Sequence, residues 1–196
     1  NEPCLLPLYY PYSFCVFIIW KAVYNLINKE DKIENNIYLE LPDMQKALYL
    51  KVLKEKKEEF EELVVTEGFS KARFKILQLL LKLRQICVDP NIIYSNYTGE
   101  SVKIEKLIEV VKNYVNEGHK ILIFSTFKTV IDRVKETFDK ESISSYIISG
   151  EVNGKTRTEL VDKFNNDDTN CFLITIKAGG TGLNLTSADV VIHLDI

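Results

Sequence analysis

The residues best suited to chemistry lie together near the end of this 196-residue chain. Behind the apolar run Phe172 to Ile176 comes Lys177, and then a loop in which Gly179, Gly180 and Gly182 fall within four positions, three of the eight glycines in the sequence. Glycine reaches positive φ without steric cost, so such a loop can turn successive backbone N–H groups toward one point and form an anion-binding concavity. Phosphate is the obvious anion. The plainer alternative is a tight turn leaving a core strand.

The elements around that loop set its position. From residue 101 onward the chain alternates: a helix over 101–118 with Ile104, Leu107, Ile108, Val111 and Val115 on one face, a strand over 121–124, a helix over 128–140, and a strand over 146–149. A helix over 157–165 and strands over 172–176 and 190–194 follow. Short continuous apolar strands alternating with helices argue for an α/β fold, a parallel sheet covered on both faces. Ligands of such sheets collect at the carboxyl ends of the strands. Two further strand ends carry polar groups: Ser125 and Thr126 after the first, and Ser149 and Gly150 after the second, with Arg157 seven residues beyond Gly150. The Ser125 hydroxyl either caps the following helix or touches a phosphate.

Ahead of this region the sequence is helical. Pro42 and Asp43 open a long helix with Tyr49, Leu53, Phe60 and Val64 at helical spacing, ending near Gly68. Ser70 is placed to cap a second helix, stopped at Asp89-Pro90, whose broad apolar stripe (Ile76, Leu77, Leu80, Leu81, Leu83, Cys87) predicts that it is largely buried. Residues 37–41 alternate as a short strand. Residues 3–20 are uncharged, but Pro3, Pro7 and Pro11 interrupt them, so they predict a packed strand or short helix and no membrane anchor.

Composition narrows the function classes. Hydrophobic residues make up 46% of the chain, enough to fill a core, and the formal net charge of −3 makes neither half a basic nucleic-acid binder. Any DNA contact must therefore be a local patch. The four cysteines form no C-x-x-C pair and only two histidines exist to join them, which argues against a metal site; Cys87 and Cys171 read as core residues of a reduced protein. His119 and His193 show no partner in the sequence. Gly154-Lys155-Thr156 ends like a nucleotide-binding loop, but Ser149 stands where the first glycine of that loop belongs, so it reads as an ordinary helix entry.

The run Ala178-Gly-Gly-Thr-Gly-Leu-Asn-Leu-Thr-Ser-Ala-Asp189 resembles motif V of the superfamily 2 helicases, specifically the Swi/Snf-type ATPases that move along double-stranded DNA. Leu83-Arg-Gln-Ile-Cys-Val-Asp-Pro90 resembles the Leu-Arg-Gln-x-Cys-x-x-Pro junction that leads into their second motor lobe. The Gly150, Arg157 and Phe164 spacing is similar as well, with Ser149 where the family usually has Asp. The resemblance implies a helical linker over residues 29–100, a RecA-like C-terminal lobe over 101–196 and an N-terminal segment, 1–28, of unclear role. It implies DNA contacts at Ser125, Thr126, Gly150, Arg157, Thr175 and Lys177. It also implies a nucleotide interface at Gly179, Gly180, Thr181, Gly182, Asn184 and Asp189, with Asn184 bracing the loop through its side chain.

The same resemblance implies ATP and Mg2+ as cofactors of an intact two-lobe protein, with duplex DNA and the N-terminal lobe as partners, nucleoprotein or polymerase as targets, and a cytoplasmic location, nucleoid-associated if the source is bacterial. Such a motor needs a Walker A lysine, a Walker B acid and an arginine finger, and none is in this sequence, which reads as a fragment expected to be inactive alone. An RNA helicase lobe and a non-catalytic interaction module are the alternative readings.

Overall fold

The computed structural model describes residues 15–21, 33–179 and 182–195. Strand β1 (Cys15–Lys21) and strand β2 (Glu34–Leu39) come first, followed by helices α1 (Asp43–Glu67) and α2 (Phe69–Val88) and a 3-10 turn at Pro90–Ile92. The α/β region then runs α3 (Val102–Asn116), β3 (Ile121–Ser125), α4 (Lys128–Lys140), β4 (Ser145–Ile148), α5 (Gly154–Asn166), β5 (Cys171–Thr175), a four-residue helical turn α6 (Ile176–Gly179) and β6 (Val190–His193).

The strands form one sheet in the order β2-β1-β6-β3-β5-β4. Strands β6, β3, β5 and β4 are parallel, as expected, with Ile121 opposite both Cys171 and Val190. The sheet is nevertheless mixed, because β1 pairs antiparallel to β6 (Ile18 opposite His193) and β2 antiparallel to β1. The uncharged N-terminal stretch thus supplies, through β1, the neighbour that β6 would otherwise lack.

Successive strand residues point to opposite faces, and the core divides accordingly. Ile121, Ile123, Leu173 and Ile192 face α3 and α4, meeting Leu107, Val111, Val130, Val134 and Phe138. Leu122, Phe172, Ile174 and Val191 face the other way, against Val161 and Phe164 of α5 and against Ala178 and Ala188 at the two ends of the glycine loop. The loop and α5 therefore share one face. Cys171 lies fully inside, and burial pushes its thiol up to about 12, consistent with an inert core residue.

The helical region departs from expectation in two ways. Helix α2 starts at Phe69, with Gly68 preceding it at φ 84°, so Ser70 lies inside the helix and is not its cap. Nor is α2 largely buried: Ala72, Leu83 and Ile86 are inside, but Phe74, Leu77 and Leu81 are 58%, 56% and 46% exposed. Its inner row packs with Val52 of α1, while the row beside it is turned outward. Ser101 precedes α3 as expected, but its hydroxyl donates to the Val88 carbonyl (3.0 Å) and ties the two helices instead of capping.

Candidate nucleic-acid interface

Three loops leave the carboxyl ends of the parallel strands. After β3, Ser125 is fully buried: its Oγ donates to Asp195 Oδ2 at 2.5 Å and accepts the Phe127 N–H at 3.1 Å. The next residue, Thr126, is half-buried and gives its N–H to both Asp195 oxygens, at 3.0 and 3.2 Å. Ser125 is thus a supporting group behind Thr126, and as placed it does not reach a phosphate in solvent.

After β4, Ser149 is buried and Gly150 is exposed. The Arg157 guanidinium reaches back to the Ser149 and Val152 carbonyls (3.4 and 3.3 Å), so it holds the Gly150 loop in shape. Asn153 caps α5 by accepting the Thr156 N–H at 2.9 Å, so Gly154-Lys155-Thr156 is a capped helix entry without a phosphate cradle.

After β5 the chain does not enter an open loop at once. Ile176 begins the turn α6, one residue earlier than its apolar character suggests, and lies exposed beside Lys177, while Ala178 is buried. Thr175 is buried with no partner for Oγ1 among the described residues, an unusual state for a hydroxyl at a strand end. Gly180 and Thr181 lie outside the described residues.

The two described glycines of the loop have different physical reasons. Gly182 has φ +71° and open space around it, so its backbone conformation calls for glycine. Gly179 needs room: a Cβ there would lie 2.7 Å from Phe124 Cε1 and 3.3 Å from Ile174 Cγ2. The Phe124 ring stacks in turn on His193, centroids 5.3 Å apart, and burial lowers the His193 pKa below its ordinary value.

Gly182, Leu183 and Asn184 form one wall of a groove whose other wall is Gly154, Arg157, Thr158, Val161 and Asp162 of α5. Three residues expected at the site, Arg157, Gly182 and Asn184, come together there. The bracing of the loop differs from expectation. Asn165 donates to the Asn184 carbonyl (2.8 Å) and accepts the Ser187 N–H (3.2 Å), so the side chain that braces the loop belongs to α5.

Asp189 is set apart from the other expected nucleotide-facing residues. It precedes β6, at the amino ends of the strands, and Oδ2 lies 2.5 Å from His119 Nδ1. Glu117 approaches the other ring nitrogen at 3.6 Å, so His119 has the partners its sequence context did not reveal. This clamp joins the starts of β3 and β6, on the sheet edge opposite the loops.

One carboxylate was not placed in any role by the sequence. Asp195 is buried and collects Ser125, Thr126 and the Arg84 guanidinium (3.3 Å), the last from helix α2. Arg84 stands in the Leu83–Pro90 string.

The known proteins that this chain is similar to agree on one architecture. Residues 102–196 match the model of the helicase conserved C-terminal domain. The Sulfolobus solfataricus SWI2/SNF2 ATPase C-terminal domain superposes with a TM-score of 0.68 at 30% identity, over 79% of this chain and 68% of that one. This chain belongs to the SWI2/SNF2-type ATPases, as their helicase C-terminal domain. The ATPase core of the same archaeal protein in complex with double-stranded DNA matches at a TM-score of 0.66 and 29% identity, over 79% of this chain and 33% of that one. An ATP-dependent helicase of Mycoplasma pneumoniae is 37% identical over 170 residues, 85% of this chain and 16% of its own length. The ISWI chromatin-remodeling complex ATPase ISW1 of Saccharomyces cerevisiae is 28% identical over 177 residues, 84% of this chain and 15% of its own. The SWI2/SNF2 lobe described here thus spans about a sixth of the length of these curated relatives. No helix among the described residues is long and apolar enough to cross a membrane.

Proposed function

We propose that this chain is the second motor lobe of an ATP-dependent translocase on double-stranded DNA, and that the carboxyl edge of its sheet holds the phosphates of one strand. The observation that carries this reading is the convergence at that edge: Thr126 and Gly150 exposed or half-buried at two strand ends, and Lys177 exposed two residues past the Thr175 hydroxyl, which has no partner among the described residues, at the third. A cation, hydroxyls and backbone N–H groups hold phosphates without reading base sequence. A SWI2/SNF2 core in complex with duplex DNA supports duplex as the substrate.

In the same reading the glycine loop, through Gly179, Gly182 and Asn184, faces the cleft where the first lobe closes over ATP. Among the described residues Asp189 lies at the far edge, away from the loop. ATP and Mg2+ would be held mainly by the other lobe. What this chain supplies is grip, through a loop braced by Asn165 and a packed Gly179.

The test is equilibrium binding of this chain to a short DNA duplex from 50 to 200 mM salt. Each phosphate neutralised contributes about −0.9 to the slope of log K against log salt, so a grip by a few groups predicts a slope of about −2 to −4. A slope near zero contradicts the reading, and equal affinity for single-stranded RNA favours the RNA-helicase alternative.

A further inference from the structure

We infer that Arg84 is a positioning residue, which latches helix α2 to the buried Asp195 and thereby sets how Thr126 is presented at the DNA-facing edge. The inference rests on the reading of that edge as a phosphate grip, and it names what orients one part of it.

The geometry is specific. Asp195 is 5% exposed and accepts from Ser125 Oγ, the Thr126 N–H and Arg84 Nη2. A carboxylate so far from water keeps its charge only where donors and an opposite charge compensate it. Arg84 is the cation that pairs with it, and its side chain is 37% exposed, at the rim. The same guanidinium lies 3.4 Å from Thr126 Oγ1 and 5.5 Å from the Phe127 ring centroid, so one side chain touches both residues that follow Ser125 as well as the acid that holds them. Both hydrogen bonds leave the single nitrogen Nη2 while the guanidinium lies over the Phe127 ring, and a lysine would offer a point charge without that planar group.

Arg84 comes from the helical region, and the Thr126 and Asp195 it bonds come from the α/β region, 42 and 111 residues away in sequence. Displacing α2 would withdraw the compensating charge from Asp195 and release the Thr126 loop, so the latch couples the helical hairpin to the grip.

The experiment uses this chain as Arg84→Met, Arg84→Lys, Asp195→Asn and the Arg84→Met/Asp195→Asn double variant. Two readouts are taken where circular dichroism and melting show a folded protein: exchange of the Thr126 amide without DNA, and duplex affinity at fixed salt. The latch predicts faster Thr126 exchange in each single variant, an affinity loss of about tenfold in each, and a double variant no weaker than the weaker single, as residues in one network couple. Arg84→Lys should fold and still lose most of that affinity. Loss in the Arg84 variants with none in Asp195→Asn would make Arg84 a direct phosphate contact and overturn the latch. Faster exchange at Thr126 with unchanged affinity would overturn its positioning role. Absence of salt-dependent binding in the unmodified chain would instead sink the grip itself, with the exchange data still reporting whether the latch forms.

Discussion

Gly179 lies against Phe124 so closely that a single added carbon would sit 2.7 Å from the ring's Cε1. Phe124 is itself held by stacking on His193, so the ring has little room to retreat. The glycine loop is therefore seated on the core by packing at one glycine and turned by backbone conformation at another. Gly179→Ala should destabilise by about 1–3 kcal/mol through overpacking, and Gly182→Ala by about 1–2 kcal/mol through its left-handed backbone. Adding Phe124→Leu should recover part of the first loss and none of the second, measured by denaturant unfolding of the four variants.

His193 gives the stability a pH dependence with a definite sign. Burial lowers its folded-state pKa below the ordinary 6.5, against a smaller opposing pull from Asp195. Below 6.5 the unfolded chain binds the proton more readily than the folded one, so the contribution of neutral His193 is full above 6.5 and is lost as pH falls toward the folded value. Melts from pH 7.5 to 5 should show His193→Gln losing less stability on acidification than the unmodified chain.

Asp89 has a fully buried side chain and accepts from the Asn91 N–H, the Asn91 carboxamide and the Arg133 guanidinium at 2.9 to 3.1 Å. It ends α2 and pins the 3-10 turn to α4. Asp89→Ala should cost about 1–3 kcal/mol for the donors left unpaired, less than a wholly buried pair would, because Arg133 can turn to water. Arg133→Met should cost a similar amount, and the double variant less than the sum of the two.

The two rows of α2 should respond differently to truncation. Leu83→Ala and Ile86→Ala remove buried side chains and should cost about 2–5 kcal/mol each. Leu77→Gln and Leu81→Gln lie on the exposed row and should stay within about 0.5 kcal/mol of the unmodified chain. Urea midpoints of the four variants decide it.

The contrast between those rows shows what a sequence carries and what it leaves open. The alternation of strands and helices was legible, because buried parallel strands are short continuous apolar runs and the helices beside them keep one apolar face. The apolar content of α2 was equally clear, but content does not say which neighbours are present to cover it. Ile176 looked like the end of a strand by residue type and instead starts a helical turn, since its exposure is set by the bend that follows. At the site, Gly182 was marked by local glycine spacing, and Thr175 and Lys177 by the family resemblance. The Asp195 contacts to Ser125 and Thr126 and the His119 to Asp189 clamp join residues about 70 positions apart, and no local period encodes such pairs.

Lys177 is the exposed cation nearest in the chain to the Thr175 hydroxyl, which has no partner among the described residues, and it offers the most direct measurement of the grip. Duplex affinity of Lys177→Ala should be followed against salt beside that of the unmodified chain. Loss of one phosphate contact predicts weaker binding at every salt concentration and a slope shallower by about 1. Parallel lines of equal affinity would show that the carboxyl edge does not hold DNA.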